Sequence, residues 1–364
     1  MKTYSKYIFL ASVVGMLALT SCGDDEPSGP VLEVPQTYIS PSFASNVTAE
    51  AAVIGELATM TSAANEAESN AQTALVAPIV YPDNLWEVTL PDYRSQVQTW
   101  LIELVASANS PTPFQNPGMG GTPAAGEEGG LLGTRLLDEY GLELEQMVQK
   151  GSFGAALYNH ALTVINGDLS SSAAIDKLVQ IFGTDVNFDP ASTTAAATYA
   201  RRRSNQTTQT GAFYNIRTNL LQAKAAIESG DPTFETTRDR ALEEFLLNWE
   251  QSNYATVIYY CNAAKVQLQA ATDDAARGNA MHAYAEGVAF AHGFRGISQK
   301  QITDAQIDQI LTNLLAPAGQ TPNSFQFLND ATLLQNLDDT IDLIQGIYNF
   351  SDEEVNLFFV NDPS

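Results

Sequence analysis

Residues 280–297 read AMHAYAEGVAFAHGFRGI, a run of small residues that carries His282, Glu286, His292 and Arg295. Alanine or glycine at 280, 283, 285, 287, 289, 291, 293 and 296 keeps the surface of this helix low, so it predicts close packing against neighbours. Asp273 and Asp274 mark a turn before it, and residues 232–271 upstream carry apolar side chains at helical spacing. If the two runs fold back antiparallel about that turn, residue 282 lies opposite about 265 and residue 295 opposite about 252. That register sets Arg295 beside Glu250 as an ion pair, His292 beside Tyr254, and Glu286 beside Tyr259 and Tyr260.

The same apolar spacing extends over most of the chain. It predicts helices over 46–72 (Thr48 as cap), 92–108 (Asp92 as cap), 131–167, 171–182, 212–229, 232–271, 274–298, 303–315, 330–348 and 351–359. Strand-like alternation is nearly absent; VNLFFV, 355–360, reads as a strand or as a terminal helix. The expected fold is therefore all-α, with antiparallel helical bundles over 45–364, either one long unit or two fused bundles. Two stretches break the pattern. Residues 109–130, rich in Gly and Pro, read as a mobile surface loop, with a binding lid as the other reading. Residues 183–211 contain Arg201, Arg202 and Arg203, read as a solvated helix end or, alternatively, an anion site.

At the N-terminus, Lys2 and Lys6 precede an apolar run, Ile8 to Leu19, of signal-peptide length. It leads into LTSC, Leu19 to Cys22, which resembles the lipobox of bacterial lipoproteins. The resemblance implies a signal peptide over 1–21 and lipidation of Cys22, with acyl chains holding the protein to the outer membrane. Asp24, Asp25 and Glu26 resemble the surface-export signal of Bacteroidota-type lipoproteins, within an acidic flexible tether over 22–44. Display on the outer face is the expectation, and a periplasm-facing anchor is the alternative. Cys261, in an apolar helical stretch, is then the remaining cysteine and reads as a buried filler. The formal charge of −25 becomes −27 once the two lysines leave with the signal peptide. So acidic a chain repels nucleic acid and anionic headgroups, which leaves neutral, cationic or proteinaceous ligands.

The sequence holds no HExxH, no GxSxG and no cysteine pair at zinc spacing, and it assigns no catalytic residue. His282 and Glu286 stand four residues apart on one helical face and supply two metal ligands, or a hydrogen-bonded pair within a bundle. A zinc site needs at least one more ligand. His292 lies ten residues on, roughly 15 Å along the axis, too far to share an ion with His282. No cofactor is required, and iron or another metal stays open. Trp86, Trp100, Trp249, Tyr254, Tyr259 and Tyr260 read first as core residues and second as the lining of a groove.

ELEQMVQKGSFGAALYNHAL (143–162), NIRTNLLQAKAAIESGD (215–231), WEQSNYATVIYYCNAAK (249–265) and HAYAEGVAFAHGFRG (282–296) occur in this order. Together they resemble the imelysin-like lipoproteins grouped as domain-of-unknown-function family 4856, over about residues 45–300. His282, Glu286, Gly287 and Phe290 match that family's last motif; its tryptophan-aspartate-glutamate run is missing, and the corresponding stretch reads IFGTDVNFDP. The Gly-x-His-x-x-Glu motif of imelysin relatives is absent around His160, His282 and His292. The resemblance implies a helical-bundle protein of the outer envelope, associated with iron acquisition and partnered by an outer-membrane transporter. Three functions stay open: a non-enzymatic binding protein for iron or other nutrient uptake, a metal-dependent hydrolase using His282 and Glu286, and a glycan-binding lipoprotein.

Overall fold

A computed structural model describes residues 30–110, 112–115 and 128–363. The expected signal peptide, Cys22, the first part of the expected tether and most of the 109–130 loop lie outside the described residues. In chain order the helices are α1 (Phe43–Asn46), α2 (Thr48–Asn70), α3 (Asp83–Val88), α4 (Pro91–Ala108), α5 (Leu144–Ser152), α6 (Asn159–Ile165), α7 (Ala173–Phe182) and α8 (Ala195–Arg202). They continue with α9 (Ala212–Ser229), α10 (Glu235–Ala270), α11 (Asp274–His292), α12 (Asp304–Asn313), α13 (Gln326–Asn329), α14 (Gln335–Tyr348) and α15 (Asp352–Phe358). The fold is all-α, a helical bundle, and residues from Leu32 on form one unit. No helix among the described residues is long and apolar enough to cross a membrane.

The spine is the antiparallel pair α10 and α11, turned at Asp273, whose side chain accepts from the Ala276 amide as the N-cap of α11. α9, α5 and α14 pack on this pair. Trp249, Tyr254, Phe245, Phe290 and Phe294 are fully or almost fully buried there, and Trp249 meets Tyr158 and Phe182 edge to face. Cys261 is buried in the same core. α11 comes closest at its end. A Cβ on Gly293 would collide with the Gly151 backbone, and one on Gly154 would lie 2.6 Å from the Gly293 carbonyl. Along this contact the chain widens into a π-helical segment, Phe153–Tyr158, between α5 and α6.

Several local expectations are corrected. The helix expected over 131–167 begins only at Leu144 and is preceded by a hairpin of β1 (Gly130–Leu132) and β2 (Arg135–Leu137). LLGTRLL is a hairpin pattern: Gly133, at φ 64, takes the first position of a two-residue turn that a branched residue would resist. Thr48 and Asp92 do not cap their helices; Val47 and Leu90 hold those positions, and Asp92 sits in the first turn of α4. VNLFFV lies largely in α15, which a Ser351/Glu354 capping box starts. The expected tether is already docked before residue 44, because the Tyr38 hydroxyl donates to Asp176 at 2.5 Å and Ser40 donates to the same carboxylate at 2.7 Å. Arg203 is buried rather than solvated: its guanidinium lies 4.2 Å from the Tyr259 ring centroid and donates to the Phe358 carbonyl and to Asn361.

The Glu250–Arg295 pair is also corrected, although the backbone register behind it is nearly right. Asn253 donates to the Phe290 carbonyl at 3.0 Å, and a Cβ on Gly287 would touch Tyr260, so α10 and α11 run opposite each other as expected. α11 stops at His292, and the turn through Gly296, at φ 82, swings Arg295 toward α12. Its Nε donates to Asp308 at 2.7 Å. Glu250 instead accepts from the Gln301 and Ile302 amides, both at 2.8 Å, and from the Tyr348 hydroxyl at 2.7 Å. His292 does not pair with Tyr254; its ring packs against Tyr93 and Trp100, with centroids 5.6 and 5.5 Å away. Glu250→Ala is expected to cost about 2–4 kcal/mol in urea unfolding, because it strands buried donors. Arg295→Ala, which breaks a half-exposed pair, is expected to cost under about 1 kcal/mol. The double variant should be additive, and measurable coupling between the two would restore the pair.

Candidate functional site

α11 carries His282 and Glu286 on one face, and the close Gly151–Gly293 contact brings α5 alongside them. Glu143, Gln146 and Lys150 are spaced i, i+3 and i+7, so they too share a face. The two faces meet. His282 Nδ1 lies 2.6 Å from Glu143 Oε2, and Lys150 Nζ lies 3.4 Å from Glu286 Oε1. His282 Nε2 is 3.8 Å from Glu286 Oε2. Two further elements close the cluster: α2 brings Glu68, and β2 brings Arg135, whose Nη1 is 3.5 Å from Glu68 and 3.6 Å from Glu143. Glu145 lies beside them and accepts from the Gln146 amide.

These groups are deep. Glu143 is 0% exposed, and Glu145, Gln146, Lys150 and Glu286 are all buried. Burial, with Glu143 as a charged neighbour, pushes Glu68 up to about 8 from the ordinary 4.5. Burial, aided by Glu145, pushes Glu143 up to about 8, and burial raises Glu145 to about 7 against the pull of Lys150. Lys150 behaves differently: burial alone would lower it, but Tyr199, Glu286 and Glu145 around it raise it, so it stays a cation. Burial lowers His282 from 6.5, with Glu286 opposing. The imidazole is therefore neutral at pH 7; its Nδ1 faces Glu143, with Gln146 Nε2 at 3.4 Å, and its Nε2 is turned toward Glu286. Glu143 Oε1 and Gln146 Oε1 are buried without a hydrogen-bond partner.

A cleft of about 380 Å³ opens onto this cluster, lined by His282, Glu286, Arg135, Asn279, Tyr259 and Tyr260 among others. The arrangement offers a ligand two polar groups, the imidazole Nε2 and the Glu286 carboxylate, between aromatic walls. Tyr260 faces Glu286, as the register predicted. A metal ion would have only those two ligands from the protein. Among the described residues no group of three or more His, Cys, Asp or Glu is set to hold one. Lys150, against Glu286, further opposes a bare cation.

The structure thus joins His282 and Glu286 and leaves Glu250, Tyr254, His292 and Arg295 outside the cluster. Sequence reasoning missed Glu68, Arg135, Glu143, Glu145, Gln146 and Lys150. The spacing of Glu143, Gln146 and Lys150 was the available signal, since three long polar side chains share one face of a buried helix. No protein-family model, curated protein or solved structure matches this chain.

The raised carboxyls have a thermodynamic consequence. Between their ordinary 4.5 and about 8 the folded chain holds more protons than the unfolded one, so stability falls as pH rises through that window. The lowered His282 acts oppositely, adding stability with rising pH, but only up to 6.5. From pH 6.5 to 8 the carboxyls therefore set the sign, with Asp138, also raised to about 8 by burial, adding to it. Urea unfolding should show lower stability at pH 8 than at pH 6.5. Glu143→Gln should flatten this slope, by up to about 1.4 kcal/mol per pH unit for each proton removed from the balance. An unchanged slope would mean that the cluster does not store protons.

Proposed function

We propose that this chain is a non-enzymatic binding protein, anchored to the outer membrane through lipid on Cys22, that captures a small nutrient for an outer-membrane transporter. The observation that carries the reading is the pair formed by His282 Nε2 and Glu286 Oε2, 3.8 Å apart in the cleft that Tyr259 and Tyr260 line. The Glu286 carboxylate and the adjacent imidazole favour a ligand with an N–H-donating head. The imelysin-like motif order supports an envelope role, and iron acquisition fits the cleft best as an ion that brings further donors with it. The hydrolase reading needs a metal with a third protein ligand and an open position, and Glu286 is already engaged by Lys150 at 3.4 Å.

Calorimetry on the purified mature chain, with ferrous iron and a small alkyl diamine as separate probes, tests this. One-to-one binding of either, weakened about tenfold or more (about 1.4 kcal/mol) by His282→Ala, is the expected outcome. Binding of neither removes the cleft from the proposal. Metal-dependent peptide hydrolysis would transfer the site to the hydrolase. Cys22→Ala should move the protein from the membrane to the soluble fraction, and its retention on the membrane would overturn the anchor.

A further inference from the structure

A second cleft, of about 340 Å³, shares no lining residue with the first. Its volume falls near the lower end of ordinary small-molecule sites, roughly 300–1,000 Å³. One wall is the outer face of α4, where Gln96, Thr99, Trp100 and Glu103 are spaced i, i+3, i+4 and i+7. The opposite face of that helix, Val97, Leu101 and Leu104, is buried, which holds the wall rigidly. The other wall is the 316–322 loop, between Leu315 at φ 56 and Pro322. His292 and Met147 also line the cleft.

Two features define what this cleft accepts. The first is an aromatic platform: Trp100 is half-buried, braced edge to face by Tyr93 and by the His292 ring. The second is polarity without a cationic side chain. No Lys or Arg lines the cleft. Burial lowers His292 to about 4, so it is neutral, while burial raises Asp138 to about 8 and also raises Glu103. His292 is 6% exposed, and its Nδ1 has no hydrogen-bond partner.

We propose that the cleft between α4 and the 316–322 loop binds a neutral sugar ring, its apolar face against Trp100 and its hydroxyls hydrogen-bonded by Gln96, Thr99 and Glu103. A flat aromatic side chain covers the C–H face of such a ring, and amide, hydroxyl and carboxyl groups at helical spacing meet its edge. The lining carries no Lys or Arg to pair with an anionic sugar, and Asp138, which burial keeps protonated near neutrality, offers a cationic one little. The site stands independently of the His282 cleft.

The test is titration of the purified mature chain with glucose, galactose, mannose and N-acetylglucosamine, read by calorimetry and by tryptophan emission. Glucosamine and glucuronate serve as charged counterparts. At least one neutral sugar should bind saturably with a change in emission. Trp100→Ala and Gln96→Ala should each weaken it about tenfold or more, and His282→Ala should leave it unchanged. If Trp100→Ala does not fold, the half-exposed Gln96→Ala carries the test. Absence of saturable binding by all four neutral sugars overturns the proposal. So does tighter binding of a charged counterpart, or full affinity in the Gln96 variant.

Discussion

The contact between Gly151 and Gly293 is the constraint on which the rest of the structure depends. Two helical segments meet there backbone to backbone, at a separation that any side chain would prevent. Gly154 extends the contact, and Tyr93 seals it by donating to the Met147 carbonyl at 2.8 Å with its ring over His292. The approach sets the depth of α5 against α11. It also sets which α5 side chains face His282 and Glu286. The π-helical widening from Phe153 falls in the same place, where one extra residue per turn lets the chain pass the end of α11.

Polar residues trapped by so close an approach cannot reach bulk water, and this explains the chemistry of the cluster. Glu68, Glu143, Glu145 and Glu286 share two permanent cations, Arg135 and Lys150, so four ionised carboxylates would be a net burden in a buried place. Retaining protons near neutrality relieves it, and the direction of the carboxyl shifts follows from that. Such an assembly stabilises less than an apolar core of equal volume. It lies at the floor of an open cleft rather than in the closed core.

How much of this was legible in the sequence depends on range. Helical periodicity and the small residues of 280–297 were enough for the all-α class and for the register of α10 against α11, because both follow from contacts near in sequence. The end of α11 was misjudged: residues 293–298 continue the pattern of small residues, and only the tertiary turn at Gly296 ends it. Arg295 was therefore assigned the wrong carboxylate. The hairpin at 130–137 was hidden by leucines that suit a helix equally well, although Gly133 marked the turn. The site was half legible. His282 and Glu286 are local in sequence and visible as a pair. Glu143, some 140 residues away, joins them through a contact that only the packed glycines disclose.

The two histidines of α11 show that environment, not residue type, sets chemistry on a single helix. His282 has a buried carboxyl group on Nδ1, which orients its ring and turns Nε2 toward Glu286 at a polar floor. His292 has only rings and an unpaired nitrogen, and burial keeps it an uncharged planar group beside Trp100. Both are neutral at pH 7, yet one presents a ring nitrogen to a polar cleft and the other packs its ring among aromatics. A helix carrying both must be held rigidly, since a rotation of one residue, 100°, would turn both rings away from their present partners. The glycine contact at one end and the Asp273 cap at the other prevent that rotation, so the close packing of 280–297 is itself what separates the two clefts.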